Sequence, residues 1–313
     1  MASRAELYSK LGYTKPTVTP ILEAIYEIEE EQIWREDLWS SPHGEHWHTS
    51  FHASSFPGDN EKACARRAIY SLMNIPPRYP TDQAGRAVME AGKDIEENIV
   101  WRFHRAGILL SDPPSAEHQM GFSDEEHWLT GSPDAVILLP KQQRPHPVEI
   151  KTKDHEVVEK MKMGQRSFDE SHRHQILPYI GFVHENHELL WPDLNPATQG
   201  SILYVSRDRP HFMHEFKFNY SEKYMEAGRD KLKLWKEAYL RELLPPRSKD
   251  WKWTEPPCQW CPVKKFCKED VKAGIENLSE SNTIKHAEEV RGSYDYEETR
   301  KAVLDRWEKE GVS

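Results

Sequence analysis

The sequence predicts an α/β fold in which helices flank a central mixed β-sheet. The middle of the chain runs in the order helix, hairpin, helix, hairpin, helix. Strand pairs separated by helical segments form a sheet that buries its faces against helices. With 313 residues, the chain is long enough for one large domain or two ordinary ones.

Three of the helical segments are recognised by their period and by their stop signals. Residues 62–74 are followed by the prolines of IPPRYP, which cannot continue a helix. Residues 83–107 repeat apolar side chains at helical spacing, and Gly107 suits the end of that helix. Residues 221–244 form a strong amphipathic pattern that ends at Pro-Pro-Arg.

Strand-like periods appear in the middle of the chain. Residues 127–140 and 146–154 predict two strands joined by a polar linker, and residues 201–220 predict a second hairpin. Between the two hairpins, residues 166–186 predict a helix in which Pro178 causes a local distortion.

The composition restricts the class of protein. The formal net charge is −10, which counts against a protein that coats nucleic acid by charge alone, since such proteins carry a basic surface. An enzyme with a local basic groove remains compatible with this charge. No apolar run approaches the ~18 residues of a membrane span, and the N-terminus lacks the apolar stretch of a secretory signal. We therefore expect a cytoplasmic protein.

Two acids and a lysine form the candidate reactive group. Residues two apart in a strand point to the same face, so Glu149 and Lys151 lie side by side, with Ile150 facing the core on the other side. A hairpin brings Asp134 beside Glu149. Carboxylate oxygens suit Mg²⁺ or Mn²⁺, and a metal there could activate water for phosphodiester hydrolysis. Alternatively, Glu149 and Lys151 are an exposed salt bridge and Asp134 is a turn residue.

Four short motifs in order resemble those of a nuclease family. Pro133-Asp134 followed by Glu149-x-Lys151 resembles the PD-(D/E)xK motif. Gln175 and Tyr179, four apart on one helix face, resemble the Q-x-x-x-Y motif of the RecB-type branch. Upstream, the segment from Gly92 to Glu96 resembles the first helix motif, with glutamate where many members have histidine.

The resemblance implies a restriction-endonuclease-like core and assigns roles to these residues. Catalysis is implied for Lys151, Glu149 and Asp134, and metal binding for Glu96, Asp134, Glu149 and Ile150. Gln175 and Tyr179 would bind the substrate strand. The HRHQ segment that ends at Gln175, with Lys153, Arg166 and Arg173, offers further phosphate contacts, although solvated surface charge explains each of them singly.

The four cysteines of the chain are split between its two ends. Cys64 precedes the nuclease motifs, whereas Cys258, Cys261 and Cys267 follow them. One early and three late cysteines resemble the iron–sulfur subgroup of RecB-type nucleases, which includes the AddB nuclease domain and the CRISPR-associated exonucleases of the Cas-four type. The resemblance implies a [4Fe–4S] cluster that joins the N- and C-terminal segments. Zinc also accepts four thiolates, and Cys64 alone could be a buried core residue.

These observations predict a metal-dependent deoxyribonuclease with Mg²⁺ or Mn²⁺, an exonuclease on linear or single-stranded DNA. The setting would be recombination, repair or CRISPR adaptation, with a phage as one candidate source and with protein partners. The alternatives are an adaptor that binds DNA ends with little activity, and a zinc-stabilised structural protein. We expect an N-terminal extension at residues 1–50, the nuclease domain at residues 51–270 and a peripheral charged tail at residues 271–313.

Overall fold

The structure is a computed structural model that describes most of the chain after residue 49. The described residues are 50–60, 63–73, 83–110, 120–248, 250–255, 257–259, 261, 263–291 and 295–310. The chain divides into two compact units. The first contains Met1–His46 and Pro80–Ala84, of which only residues 83 and 84 are described. The second contains Trp47–Tyr79 and Gly85–Ser313. All but the last residue of the predicted extension, 1–50, therefore lies outside the described residues.

The second unit contains two β-sheets. The strands are β1 (Phe51–His52), β2 (Phe122–Asp124), β3 (Leu129–Gly131), β4 (Ala135–Leu138), β5 (Pro145–Lys153), β6 (Gln199–Ser206) and β7 (Met213–Asn219). The larger sheet has the order β4-β5-β6-β7, in which β5 and β6 are parallel and the two outer pairs are antiparallel. The smaller sheet has the order β1-β3-β2. The predicted α/β class with a mixed sheet is confirmed.

Helices flank the larger sheet as predicted. In chain order they are α1 (Ala65–Leu72), α2 (Gln83–Arg105), α3 (His155–Lys162), α4 (Glu170–Glu185), α5 (His187–Leu190), α6 (Glu222–Leu240), α7 (Lys264–Ala273), α8 (Asn282–Arg291) and α9 (Tyr296–Glu310). The helices predicted at four positions are present with shorter bounds, and Pro178 lies inside α4. Within the described residues, no helix combines the length and apolar character needed to cross a bilayer.

The first predicted strand is wrong in one respect, because residues 127–140 form two strands in different sheets. β3 pairs with β1 and β2, whereas β4 pairs with β5. The chain leaves one ladder and enters the other through Ser132, Pro133 and Asp134. Proline has no N–H to donate to a ladder, so the break falls at this point. Asp134 therefore stands immediately before β4.

The two faces of the larger sheet have different partners. Ile99 of α2 packs in one core cluster with Val148 and Ile150 of β5. The opposite face packs against α4, where Ile176 shares a second, larger core with Ile202 of β6. Because side chains alternate along a strand, Glu149 and Lys151 face the α4 side of β5.

The C-terminal segment is not peripheral, which corrects the expectation for residues 271–313. Ile284 and Ala287 of α8 and Val303 and Trp307 of α9 are buried in the larger core. The Trp307 ring stacks on that of Trp128 at 5.8 Å between centroids. Charged residues are frequent in this segment, so its composition looks like that of a solvated tail. The burial of its apolar residues depends on a partner surface that is distant in sequence.

Candidate active site

The β4–β5 hairpin brings the acids of two strands together. Ala135 lies opposite Val148 in the ladder, so Asp134, one residue earlier, reaches the position beside Glu149. Asp134 Oδ2 accepts a hydrogen bond of 2.6 Å from the backbone N–H of Ile150. The carboxylate of Asp134 is thereby held against the Glu149-Ile150-Lys151 segment.

Glu149 is the most buried of the acids, with 0% of its surface exposed. Its Oε1 atom forms an ion pair with the ammonium group of Lys151. Its Oε2 atom is buried and has no hydrogen-bond partner among the residues that the structure describes. An unsatisfied buried carboxylate oxygen is costly, so this atom is the feature of the site that most favours binding of a cation. Ile150 faces away and belongs to the core shared with α2.

Glu96 joins this group from α2. Gly92, one turn earlier, allows a close approach to β5, since a Cβ atom there would lie 3.3 Å from Thr152 Oγ1. The half-buried Glu96 carboxylate interacts electrostatically with Asp134 and Lys151. The structure therefore brings Glu96, Asp134, Glu149 and Lys151 into one electrostatically coupled group.

The pKa values reflect burial and crowding of like charge. Burial, followed by the negative charge of Asp134, raises the pKa of Glu96 to about 8. The same two causes raise the pKa of Glu149 well above its ordinary value, although Lys151 opposes the shift. Burial also raises the pKa of Asp134. Burial lowers the pKa of Lys151, but Glu149 and Asp134 outweigh this effect and the net shift is upward.

The donor set suits a hard divalent cation. Three carboxylates whose ionisation is opposed by burial and by one another gain from a cation among them, and oxygen donors suit Mg²⁺ or Mn²⁺. As the side chains are placed, the described residues contain no group of three or more His, Cys, Asp or Glu arranged to hold a metal ion. Instead, the ammonium group of Lys151 pairs with Glu149.

Gln175 and Tyr179 lie on the α4 face that borders these acids. Gln175 Nε2 is 3.5 Å from the Tyr179 hydroxyl. Burial raises the pKa of Tyr179 strongly, and the charges of Glu149 and Asp134 add to the shift. Tyr179 is 1% exposed, whereas Gln175 is half-buried. Gln175 is therefore the more accessible member of this pair.

Sequence reasoning missed Tyr204. The register of the parallel pair places Tyr204 of β6 beside Lys151 of β5. Its hydroxyl contacts His172 Nδ1 at 2.8 Å and the backbone N–H of Asp169 at 3.1 Å. Lys153 forms an ion pair of 2.7 Å with Asp169. No local signal identifies Tyr204, because its proximity to Lys151 depends on strand order.

The four cysteines line one cavity. Cys64, just before α1, lies there with Cys258 and Cys261, which precede α7, and with Cys267 of α7. Burial raises the pKa of Cys267 to about 12; Arg66 opposes the shift, and Cys64 and Cys261 add to it. The thiols are therefore close enough to influence one another electrostatically.

Basic side chains surround the same cavity. Its lining includes Arg66, Arg67, Arg247 and Lys264. Arg66 donates to the backbone carbonyls of Pro245 and Ile275, while its buried Nη1 has no hydrogen-bond partner in the described part of the chain. This positive lining suits a group that carries net negative charge, as a cluster bound by four thiolates does.

Comparisons with known proteins identify a family. The family model described as the PD-(D/E)XK nuclease superfamily matches residues 22–268. The crystal structure of LHK-Exo, an alkaline exonuclease from Laribacter hongkongensis, is similar with 10% identity and a TM-score of 0.37, covering 64% of this chain and 91% of that chain. The structure of LHK-Exo in complex with dAMP gives 12% identity, the same TM-score, and coverages of 64% and 90%. No curated protein matches the chain.

Proposed function

Because the chain belongs to the PD-(D/E)XK nuclease superfamily, we propose that it is a metal-dependent exonuclease that hydrolyses linear or single-stranded DNA. The observation that carries the proposal is the buried Glu149, which is paired with Lys151 and adjoins Asp134. A pair that contains a buried acid contributes little to stability, since the cost of burying charge offsets the gain from pairing. Its presence next to further acids favours a reactive site.

In this proposal Glu96, Asp134 and Glu149, together with Ile150, hold Mg²⁺ or Mn²⁺. The bound cation would polarise the phosphoryl oxygen and lower the pKa of water. Lys151 contributes hydrogen bonds to the attacking water and to the developing negative charge. Without a bound cation, Glu149 and Asp134 raise the pKa of Lys151 against the effect of burial, which favours the charged ammonium form as the donor. Gln175, held by Tyr179, positions the strand.

The test is digestion of end-labelled linear DNA, single- and double-stranded, with Mg²⁺ or Mn²⁺. We expect the wild type to degrade the DNA and a folded Lys151→Ala variant to lose at least about 100-fold in rate, as is common when a charge-stabilising donor is removed. Lys217→Ala is the matched control, because the ion pair that this exposed lysine of β7 makes with the described residues is one of 3.7 Å with Glu215.

The outcomes separate the candidate functions. If the wild type cuts with neither metal, the catalytic proposal is wrong. DNA binding without cutting would then favour the adaptor that handles DNA ends for recombination, repair or CRISPR adaptation partners. Equal loss in Lys151→Ala and Lys217→Ala would also contradict the assigned role of Lys151.

We further propose that the chain belongs to the iron–sulfur subgroup and that Cys64, Cys258, Cys261 and Cys267 hold a [4Fe–4S] cluster. The support is the shared cavity and its basic lining. Thiolates are the usual cluster ligands, and a link between the two ends of the chain constrains the unfolded state. On this basis the nuclease domain, residues 51–270, would be closed by the cluster, and residues 271–313 would complete its core.

Anaerobic purification followed by absorption spectroscopy and metal analysis tests the cluster. We expect a brown protein with about four irons and four sulfides per chain, and loss of both in Cys267→Ala. A colourless protein with one zinc per chain would show that the cysteines bind zinc and not an iron–sulfur cluster. A folded protein with neither metal would contradict both.

A further inference from the structure

His172 extends the row formed by Gln175 and Tyr179 toward the start of α4. Residues three and four apart share a helix face, and His172 lies three residues before Gln175. α4 packs against β5 and β6. At one end of this row, the charge of Glu149 contributes to the raised pKa of Tyr179. At the other end, His172 contacts the hydroxyl of Tyr204. The row therefore spans the acid–lysine group from one end to the other.

The Tyr204 hydroxyl fixes the orientation of the His172 ring. Tyr204 is 0% exposed and lies beside Lys151 in the sheet. Its oxygen must accept from the backbone N–H of Asp169, which can only donate. The same oxygen lies 2.8 Å from His172 Nδ1.

The hydrogen bonds of the Tyr204 hydroxyl determine which ring nitrogen of His172 carries the proton. The Tyr204 hydroxyl has one proton, and the acceptor that it contacts is His172 Nδ1. If Nδ1 carried the ring proton instead, the buried hydroxyl proton would have no acceptor among the described residues, which is costly. Tyr204 therefore donates to Nδ1, and the ring proton of a neutral His172 is on Nε2.

The Nε2–H group of His172 has no hydrogen-bond acceptor among the residues that the structure describes, and the side chain is 18% exposed. The carboxylate of Asp169 lies 3.9 Å from the other ring nitrogen, Nδ1. The ammonium group of Lys151 is close enough to influence His172 electrostatically, so this N–H donor adjoins the acid–lysine group and is available to a ligand.

We propose that His172 Nε2–H donates to a phosphate oxygen of the DNA strand, at or next to the phosphodiester bond that Lys151 faces, and that Tyr204 is the positioning residue that holds the required tautomer. The inference rests on the proposed nuclease function and deepens it. It adds a substrate contact to the row of Gln175 and Tyr179.

The charge state of His172 fits a site that also binds a cation. Burial, together with the ammonium groups of Lys151 and Lys153, lowers the pKa of His172 to about 4. The ring is therefore neutral near pH 7. A neutral N–H donor contacts phosphate without adding a positive charge that would repel a divalent cation held by the neighbouring acids.

His174 provides a matched control two residues away. Its Nδ1 lies 2.7 Å from the hydroxyl of the buried Tyr224, so it repeats the histidine–tyrosine pair. However, it contacts α6 and not the sheet, and it is 8% exposed. Both pairs contribute to packing, but the inference gives a substrate role to His172 alone.

The experiment measures kcat and KM on end-labelled single-stranded DNA with Mn²⁺ for four variants. A side-chain amide of Gln places a donor near the Nε2 position, whereas that of Asn places one near Nδ1. We expect His172→Gln to stay within about threefold of wild type, and His172→Asn and His172→Leu to raise KM at least about tenfold, the value of one hydrogen bond to a charged group. We expect His174→Gln to leave KM unchanged.

A second measurement removes cleavage from the readout. In the Lys151→Ala background, binding of the same DNA should weaken at least about tenfold on adding His172→Asn, and should weaken little on adding His172→Gln. Tyr204→Phe in this background should weaken binding about threefold, because the tautomer is no longer held.

Each outcome has one meaning. If the wild type cuts and His172→Asn equals His172→Gln in KM and in binding, the inference is wrong and the nuclease function stands. If the wild type does not cut, the proposed function fails and the inference fails with it. If His172→Leu does not fold, the comparison of Asn with Gln still decides.

Discussion

The backbone N–H of Ile150 donates a hydrogen bond of 2.6 Å to the side chain of Asp134, which is 16 residues earlier in the chain. β4 begins at Ala135, so the Asp134 side chain supplies the acceptor just beyond the end of the ladder. This hydrogen bond thus joins the residue that precedes β4 to the middle of β5. It orients the first acid of the site while leaving Glu149 to pair with Lys151.

Replacing Glu96 with Gln should stabilise the metal-free protein in a pH-dependent way. The pKa of Glu96 is raised to about 8, above that of the unfolded chain, so the native state binds the proton more tightly. The free energy of unfolding of the wild type therefore falls as pH rises from about 4.5 to about 8. The Glu96→Gln variant does not lose this stability, because glutamine does not ionise. After discounting for partial exposure, we expect Glu96→Gln to gain at least about 1 kcal/mol at pH 9 and nothing near pH 4.

Urea denaturation at both pH values, with a chelator present, measures this difference. Addition of Mg²⁺ provides the control, since binding to the native state should raise the stability of the wild type more than that of the variant. An equal gain for Glu96→Gln at pH 4 and pH 9 would show that Glu96 is not the group responsible.

Widening the contact between α2 and β5 should impair activity. A Cβ atom at Gly92 would lie 3.3 Å from Thr152 Oγ1, so the larger, branched side chain of Gly92→Val has to displace this hydroxyl group or move the helix. We expect the helix to move and to carry Glu96 with it. A displacement of about 1 Å can cost up to about 100-fold in rate, and we expect kcat/KM to fall at least about tenfold. The control is Ala91→Val, since Ala91 is exposed. Equal activity of the two variants would contradict the role of this contact.

Gly131 allows Tyr179 to lie next to the acids, and Gly131→Ala should destabilise the protein. The added Cβ would lie 2.7 Å from Ala53 Cβ and 2.9 Å from Tyr179 Cε1. Overpacking of a core typically costs about 1–3 kcal/mol. Gly121→Ala is the control, because its Cβ would meet Ser132 Oγ at an ordinary 3.5 Å. Thermal melting of the two variants gives the comparison, and similar melting temperatures would exclude the predicted clash.

Trp307 should be needed for stability although it lies close to the C-terminus. It is buried at 7% exposure and stacks on Trp128. Loss of a buried tryptophan typically costs about 3–5 kcal/mol, and we expect this for Trp307→Ala in urea denaturation. Trp101 is 43% exposed, so Trp101→Ala should cost much less. A negligible effect of Trp307→Ala would contradict this and would support the peripheral tail that the sequence predicted.

Residues close in sequence could be assigned without the structure. Glu149 and Lys151 share a face because strands have a period of two, and Gln175 and Tyr179 share one because helices have a period near four. The mixed sheet followed from the alternation of hairpins and helices. The boundaries shifted by a few residues, and the strand predicted at 127–140 divided at Pro133.

The local order of helices, hairpins and motif residues follows from the sequence, because periodicity and turn chemistry act over a few residues. Three contacts exist only in the folded chain: Tyr204 lies beside Lys151, Cys64 shares a cavity with Cys267, and Trp307 packs on Trp128. These contacts join residues between 53 and about 200 positions apart. Each depends on strand order and on many weak packing contacts acting together, and no local pattern encodes them.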